Sequence, residues 1–298
     1  VPLRIAALFL EAGLPAGVAQ LVFGVPDMVS RHLIASPVIR KISFTGSVPV
    51  GKHLIKLAAD DVKAVTMELG GHAPVLIFAD CDLEKTLDMV VPQKFRNAGQ
   101  VCVSPTRFHV EAPIYDAFVA GFAARTAALQ VGDGLDGASQ MGPLANARRP
   151  GTVAALVDNA VAKGARLAAG GEFGNGRGRN DGYFYRPTLL ADVPLDADVM
   201  SNEPFGPVAL ARPFASFDEA IAQANRLPFG LAAFAFTENG RRANLLGDAI
   251  ESGMVGINTF AISAVDAPFG GVKHSGFGRE GGPDGLASYM VTKAIHQA

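Results

Sequence analysis

Strand-like apolar runs alternate with segments of helical spacing, and this alternation constrains the fold more than any single residue does. Val1 to Ala12 carries Leu3, Ala6, Ala7 and Leu10 at helical spacing and is stopped by Gly13 and Pro15, after which Val18 to Phe23 reads as a strand. Arg40 to Phe44 reads as another strand and Ser47 to Ala59 as another helix. Strands returning through helices predict parallel neighbours, as in a doubly wound sheet.

Lys63 to Leu69 reads as a strand running into Gly70-Gly71, which predicts a flexible joint between two domains. A second run begins at Pro74 to Phe78. In it Asp82 caps a helix through Phe95, Arg107 to Val110 forms a strand and Ile114 to Leu129 a helix. Pro204 to Phe217 and Leu231 to Phe236 read as buried strands, with a helix from Phe217 to Arg226 between them. The glycine-rich stretch Gly170 to Asp181 predicts an exposed loop away from any chemistry, and there is no internal repeat.

A chain of 298 residues can bury a large core. With 49% hydrophobic residues, 18% charged residues and a formal charge of -2, it has no electrostatic footprint for nucleic acid. Cys81 and Cys102 are too few for a disulfide framework, so a reducing, cytoplasmic setting is expected. The six histidines form no metal pattern. The longest apolar stretches, Ala73 to Ala79 and Leu231 to Phe236, are strand-sized, so no membrane span is expected. Val1-Pro2-Leu3-Arg4 has neither an initiator Met nor a signal-peptide pattern, which suggests a chain beginning inside a larger protein.

Several positions can carry chemistry. Phe44-Thr45-Gly46-Ser47 lies between a strand and a helix, where free amides and the helix dipole favour a phosphate, although such a start also serves as a plain N-cap; no GxGxxG fingerprint is present. Cys102 follows Asn97-Ala98-Gly99-Gln100-Val101, a turn able to aim backbone N–H groups at a thiol, lower its pKa and form an oxyanion site. A buried apolar cysteine is the alternative. Cys81, between Asp80 and Asp82, is disfavoured because both carboxylates raise a thiol pKa. Glu68 at a strand end can act as a general base or stand simply solvated. Glu203 and Phe205, in Glu203-Pro204-Phe205-Gly206-Pro207, can hold a ribose and pack a nicotinamide ring, or be a loop acid and a core aromatic.

Together these segments resemble the aldehyde dehydrogenase superfamily. The motifs occur in the family's order: Phe44-Thr45-Gly46-Ser47 with Gly51, Glu68-Leu69-Gly70-Gly71, Gly99-Gln100-Val101-Cys102, Glu203-Pro204-Phe205-Gly206-Pro207, and Pro268-Phe269-Gly270-Gly271-Val272-Lys273 with Ser275-Gly276 and Gly278-Arg279-Glu280. The resemblance implies an α/β fold: a remnant of a Rossmann-like cofactor domain over residues 1–70, an α/β catalytic domain bearing the thiol over 71–284, and a C-terminal oligomerisation strand within 285–298. It implies NAD or NADP as cofactor, a small aldehyde as substrate and a homo-oligomer, dimer or tetramer. By the same resemblance Cys102 attacks the aldehyde carbon, hydride passes to the nicotinamide, and Glu68 activates water against the resulting thioester. Gly46, Ser47 and Leu69 then contact the cofactor, Glu203 holds the nicotinamide ribose, and Phe205 packs on the ring.

Phe95-Arg96-Asn97 and Ala261-Ile262-Ser263 resemble the succinate-semialdehyde dehydrogenase branch, in which an arginine and a serine hold a distal carboxylate. That implies a substrate grip by Arg96 and Ser263; a surface role for Arg96 and an uncharged aldehyde form the alternative. Three departures qualify the resemblance. The residues that choose between NAD and NADP and the oxyanion-hole asparagine belong to family segments before Val1, and Ser104 stands where some relatives carry a second cysteine. Losing one oxyanion donor costs about a hundredfold to a thousandfold in rate, so the chain alone is expected to be poorly active or to act only as a fragment that keeps the oligomerisation surface.

Overall fold

The fold was obtained as a computed structural model, which describes residues 1–174 and 182–298. The expected loop from Gly170 to Asp181 therefore lies largely outside the described residues. By compactness the chain divides into two units, one of residues 1–42 and 52–65 and the other of residues 43–51 and 66–298.

The first unit holds α1 (Pro2–Glu11) and α2 (Pro26–Ile34), both opened by a proline in the first turn, where its missing N–H costs nothing. It also holds the start of β1 (Lys41–Gly46), most of α3 (Val48–Ala59) and the start of β2 (Ala64–Leu69). Lys63 is buried, and its Nζ donates to the carbonyls of Ser36 and Ile39 at 2.9 and 2.8 Å, tying the α2 exit to the approach of β2. The expected strand from Val18 to Phe23 does not form: Val18, Leu21, Val22 and Phe23 are exposed. A β-branched, apolar run becomes a strand only where another strand pairs with it.

The second unit is built on a parallel sheet. In chain order its elements are β3 (Ala73–Ile77), α4 (Leu83–Phe95), β4 (Pro105–Glu111), α5 (Tyr115–Ala128), α6 (Arg148–Ala162), β5 (Arg166–Ala169), β6 (Thr188–Ala191) and β7 (Val208–Phe214). They continue with α7 (Phe217–Asn225), β8 (Phe229–Gly230), β9 (Ala232–Phe236), α8 (Gly240–Ala249), β10 (Met254–Ile257), β11 (Val272–Lys273), β12 (Gly276–Phe277) and α9 (Gly282–Ala287). Among the described residues the main sheet runs β10-β9-β3-β4-β7-β6-β5, parallel throughout except for the antiparallel edge pair β5–β6. This unit is thus an α/β sheet whose strands run parallel and return through helices.

Both faces of β3 are buried, as a sheet covered by helices on both sides requires. One face packs Phe95, Phe108, Phe118 and Phe122, with ring centroids 5.2–6.1 Å apart. Each fully buried aromatic contributes about 1.5–3 kcal/mol through the area it removes from water. Arg107, buried on β4, ties the strand to α7 through the carbonyls of Gln223 and Ala224 and also donates to His72 O. The α4 helix is capped by Asp82, whose carboxylate accepts from Lys85 N at 3.1 Å.

One expectation is corrected. Gly70 and Gly71 are no flexible joint: a Cβ on Gly70 would stand 2.5 Å from Glu203 Oε2, and one on Gly71 would stand 3.0 Å from Cys102 O. These glycines are there so that neighbours can come close. In the single chain Leu286 and Ala287 end α9, and the rest of the segment to Ala294 has no helix or strand.

Candidate active site

Three loops reach the amino ends of neighbouring strands and meet there. Glu68 to Gly71 precedes β3, Asn97 to Cys102 precedes β4, and Glu203 to Gly206 precedes β7. Open α/β sheets commonly bind ligands at the carboxyl ends of their strands. Here the opposite edge carries the cavity, of about 720 Å³, lined by Gly46, Ser47, Glu68, Leu69, Cys102, Glu203 and Phe205, with Gln100 and Arg149 beside them.

The loop that carries Cys102 is set by backbone geometry. Asn97, Ala98 and Gly99 all have left-handed φ, at 51°, 53° and 69°. A Cβ on Gly99 would lie 2.1 Å from Gly206 O, so glycine is required both for its φ and for the crossing with the Glu203 loop. The Asn97 and Gln100 side chains close the loop through each other's backbone carbonyls.

Cys102 is half-buried, and its thiol is pushed up rather than down, which corrects the expected lowering. Burial is the largest cause, followed by the Glu203 carboxylate; the backbone N–H groups of Val103 and Cys102 favour the thiolate but are outweighed, and Glu68 adds to the upward shift. The turn does aim amides at sulfur. Burial, joined by two acids in the same cavity, outweighs their effect. Cys81 is also raised, mainly by burial, with Asp80 and Asp82 contributing.

Glu68 is 3% exposed, and neither carboxylate oxygen has a hydrogen-bond partner. Burial, aided by Glu280 and opposed by Arg279, pushes its carboxyl up to about 7. Its strand is pinned by β12, with Gly276 opposite Glu68, and by Leu69 N donating to Ser275 O at 3.0 Å. A carboxylate this poorly solvated is a strong proton acceptor.

Glu203 is also pushed up to about 7 by burial, against Gly71 N at 3.4 Å and the charges of Lys94 and Arg149. Phe205 is 37% exposed with φ 37°, a strained value for a non-glycine residue. Arg149 holds it there: its guanidinium donates to the Pro204 carbonyl and to Phe205 O at 2.7 Å, and lies 5.8 Å from the ring centroid. Gly46 and Ser47 are exposed at the start of α3, and Leu69 packs against Gly51, where a Cβ would lie 2.5 Å from a Leu69 methyl.

Arg96 and Ser263 are exposed and do not line this cavity. Reasoning from the sequence missed Arg149 and Lys94. For Lys94 a signal existed: it falls on the helical stripe of Leu87, Val90 and Val91, a position that packs inward. Nothing in Arg148-Arg149-Pro150 marked Arg149. Among the described residues no cluster of His, Cys, Asp and Glu could hold a metal ion, and no helix is long and apolar enough to cross a membrane.

One cavity at the edge of a parallel sheet thus gathers a thiol, two carboxylates and the start of a helix. The chain belongs to the aldehyde dehydrogenase family, which it matches over residues 1–295. It is 51% identical over 297 residues to a putative 4-(hydroxymethyl)benzenesulfonate dehydrogenase of Comamonas testosteroni, covering 99% of this chain and 61% of that protein. It is 43% identical to the NADP(+) succinate-semialdehyde dehydrogenase of Escherichia coli, covering 98% of this chain and 60% of that one. Its structure matches betaine aldehyde dehydrogenase from Staphylococcus aureus in complex with NAD+ with a TM-score of 0.94 at 34% identity, over 98% of this chain and 58% of that one. The chain thus spans about three fifths of the length of these relatives.

Proposed function

We propose that this chain is the thiol-bearing part of an NAD(P)-dependent aldehyde dehydrogenase, with Cys102 as nucleophile and Glu68 as general base. The carrying observation is that loops from three separate strands bring Cys102, Glu68 and Glu203 to one cavity. In this reading residues 1–70 belong to the cofactor domain, 71–284 to the catalytic domain and 285–298 to a segment that pairs with a second copy. A truncation after Gly285 that leaves the subunit number unchanged in sedimentation would remove the last assignment.

The residues present fit a dinucleotide. Ser47 and Gly46 offer a hydroxyl and amides for a phosphate, Glu203 offers an acceptor for ribose hydroxyls, and Leu69 and Phe205 offer apolar surface. When bound there, NAD(P) supplies the hydride acceptor.

The chain's own residues do the rest. The Cys102 thiol gives its proton to solvent, and the sulfur adds to the aldehyde carbon while the carbonyl electron pair moves to oxygen. The Cys102 N–H, which already faces the sulfur, supports that oxyanion. Oxidation leaves a thioester on Cys102. Glu68 then takes a proton from water as the water oxygen attacks, and the C–S bond breaks to release the acid and the thiolate.

In the full-length protein, Glu68→Gln is expected to give one rapid turnover of reduced cofactor per site and then a steady rate lower by about 10²–10⁴. Full multiple-turnover activity in that variant would exclude Glu68 as the base. For the substrate we favour an aldehyde with a distal anionic group, because relatives at 40–51% identity are named for succinate semialdehyde, 3-sulfolactaldehyde and a benzenesulfonate. Arg96 and Ser263 are the proposed grip. Equal kcat/KM for succinate semialdehyde and butanal would reject it.

A further inference from the structure

Lys94 stands in the last turn of α4, where a lysine normally reaches solvent, yet it is 0% exposed. Its Nζ donates to Ser104 Oγ at 3.2 Å and Thr106 Oγ1 at 3.4 Å, just beyond the nucleophile. A Cβ on Gly99 would lie 3.3 Å from that Nζ and 2.1 Å from Gly206 O. The amine therefore sits under the point where the Cys102 loop crosses the Glu203 loop. Burial pulls Lys94 down to about 7, and the carboxylate that opposes this is Glu203, itself pushed up to about 7 and relieved by the Lys94 charge. Two hydroxyls are poor compensation for a buried ammonium, so packing alone favours an apolar residue here.

We propose that Lys94 is a positioning residue for cofactor binding: its ammonium, anchored on Ser104 and Thr106, is the interior counter-charge of Glu203 and holds the Glu203 loop against the Cys102 loop. The proposal rests on the reading of Glu203 as the acceptor for the cofactor ribose. Without the cation beneath it, Glu203 holds its proton to still higher pH, and in the protonated form it loses half of its acceptor capacity.

The test is a double-mutant cycle in the full-length protein, read as the calorimetric Kd for NAD or NADP, whichever binds more tightly. Lys94→Met is expected to weaken the Kd about tenfold, equivalent to about 1.4 kcal/mol. Added to Glu203→Gln it should change the Kd less than about twofold, since the charge it serves is already gone. An equal factor in both backgrounds, or an unchanged Kd in Lys94→Met, overturns the proposal. An unchanged Kd in Glu203→Gln alone overturns the ribose assignment first and this proposal with it. Lys94→Gln, which keeps a donor for Ser104 but no charge, gives the same readout if Lys94→Met does not fold.

Discussion

Cys102 lies among groups that pull its ionisation in opposite directions. Backbone amides draw it towards the thiolate, while burial and two carboxylates hold it as the thiol. Its reactivity is then a measure of the acids around it. Removing either carboxylate, by Glu68→Gln or Glu203→Gln, is expected to speed alkylation of Cys102 by iodoacetamide at pH 8, several-fold for each; unchanged rates would leave burial as the whole explanation. The thioester-hydrolysis rate is expected to rise with pH through about 7, where Glu68 loses its proton and becomes a base. A rate that is flat from pH 6 to 8 would place the base elsewhere. The motifs made the residue types legible in the sequence, but the sign of the thiol shift was not, because it depends on Glu203, which arrives from a loop far away in the chain.

At the scale of elements, α4, β3, β4 and β9 could be read because each carries its own signal: the Asp82 cap, or an apolar run that ends up buried on both faces. Asp82→Ala is expected to cost about 1 kcal/mol in denaturant unfolding, the usual worth of an N-cap. The run from Val18 to Phe23 misled because strand formation depends on a partner as much as on composition. Gly70-Gly71 misled for a related reason: a glycine pair looks the same in sequence whether it gives freedom or lets a neighbour approach. Gly70→Ala puts a carbon 2.5 Å from Glu203 Oε2. It is expected to weaken cofactor binding at least tenfold, about 1.4 kcal/mol, with little loss of thermal stability, measured as Kd and Tm side by side.

For the molecule as a whole, the buried acids and Lys94 shape stability against pH. Glu68 and Glu203 keep their protons up to about 7 when folded but only to about 4.5 when unfolded, so each lowers stability as pH rises through that window. Lys94 acts in the other sense above 7, because the folded chain releases its proton before the unfolded chain does. His72 and His109, held neutral by burial, remove stability as pH falls below 6.5. The Tm difference between Glu68→Gln and the parent isolates one of these contributions. It should be small at pH 4.5 and grow in favour of the variant up to pH 8; a constant difference would mean that Glu68 is not raised.

The order of the strands in the main sheet has a consequence for how the protein is made. The interior strand β3 is followed soon by β4, but the strand on its other side is β9, where Val75, Leu76 and Ile77 pair with Phe234, Ala235 and Phe236. A ribosome must therefore carry an apolar strand with one open edge from Ile77 until Ala232–Phe236 emerges. During that interval the nascent polypeptide is exposed to self-association, and chaperone capture then matters more than the stability of the finished sheet.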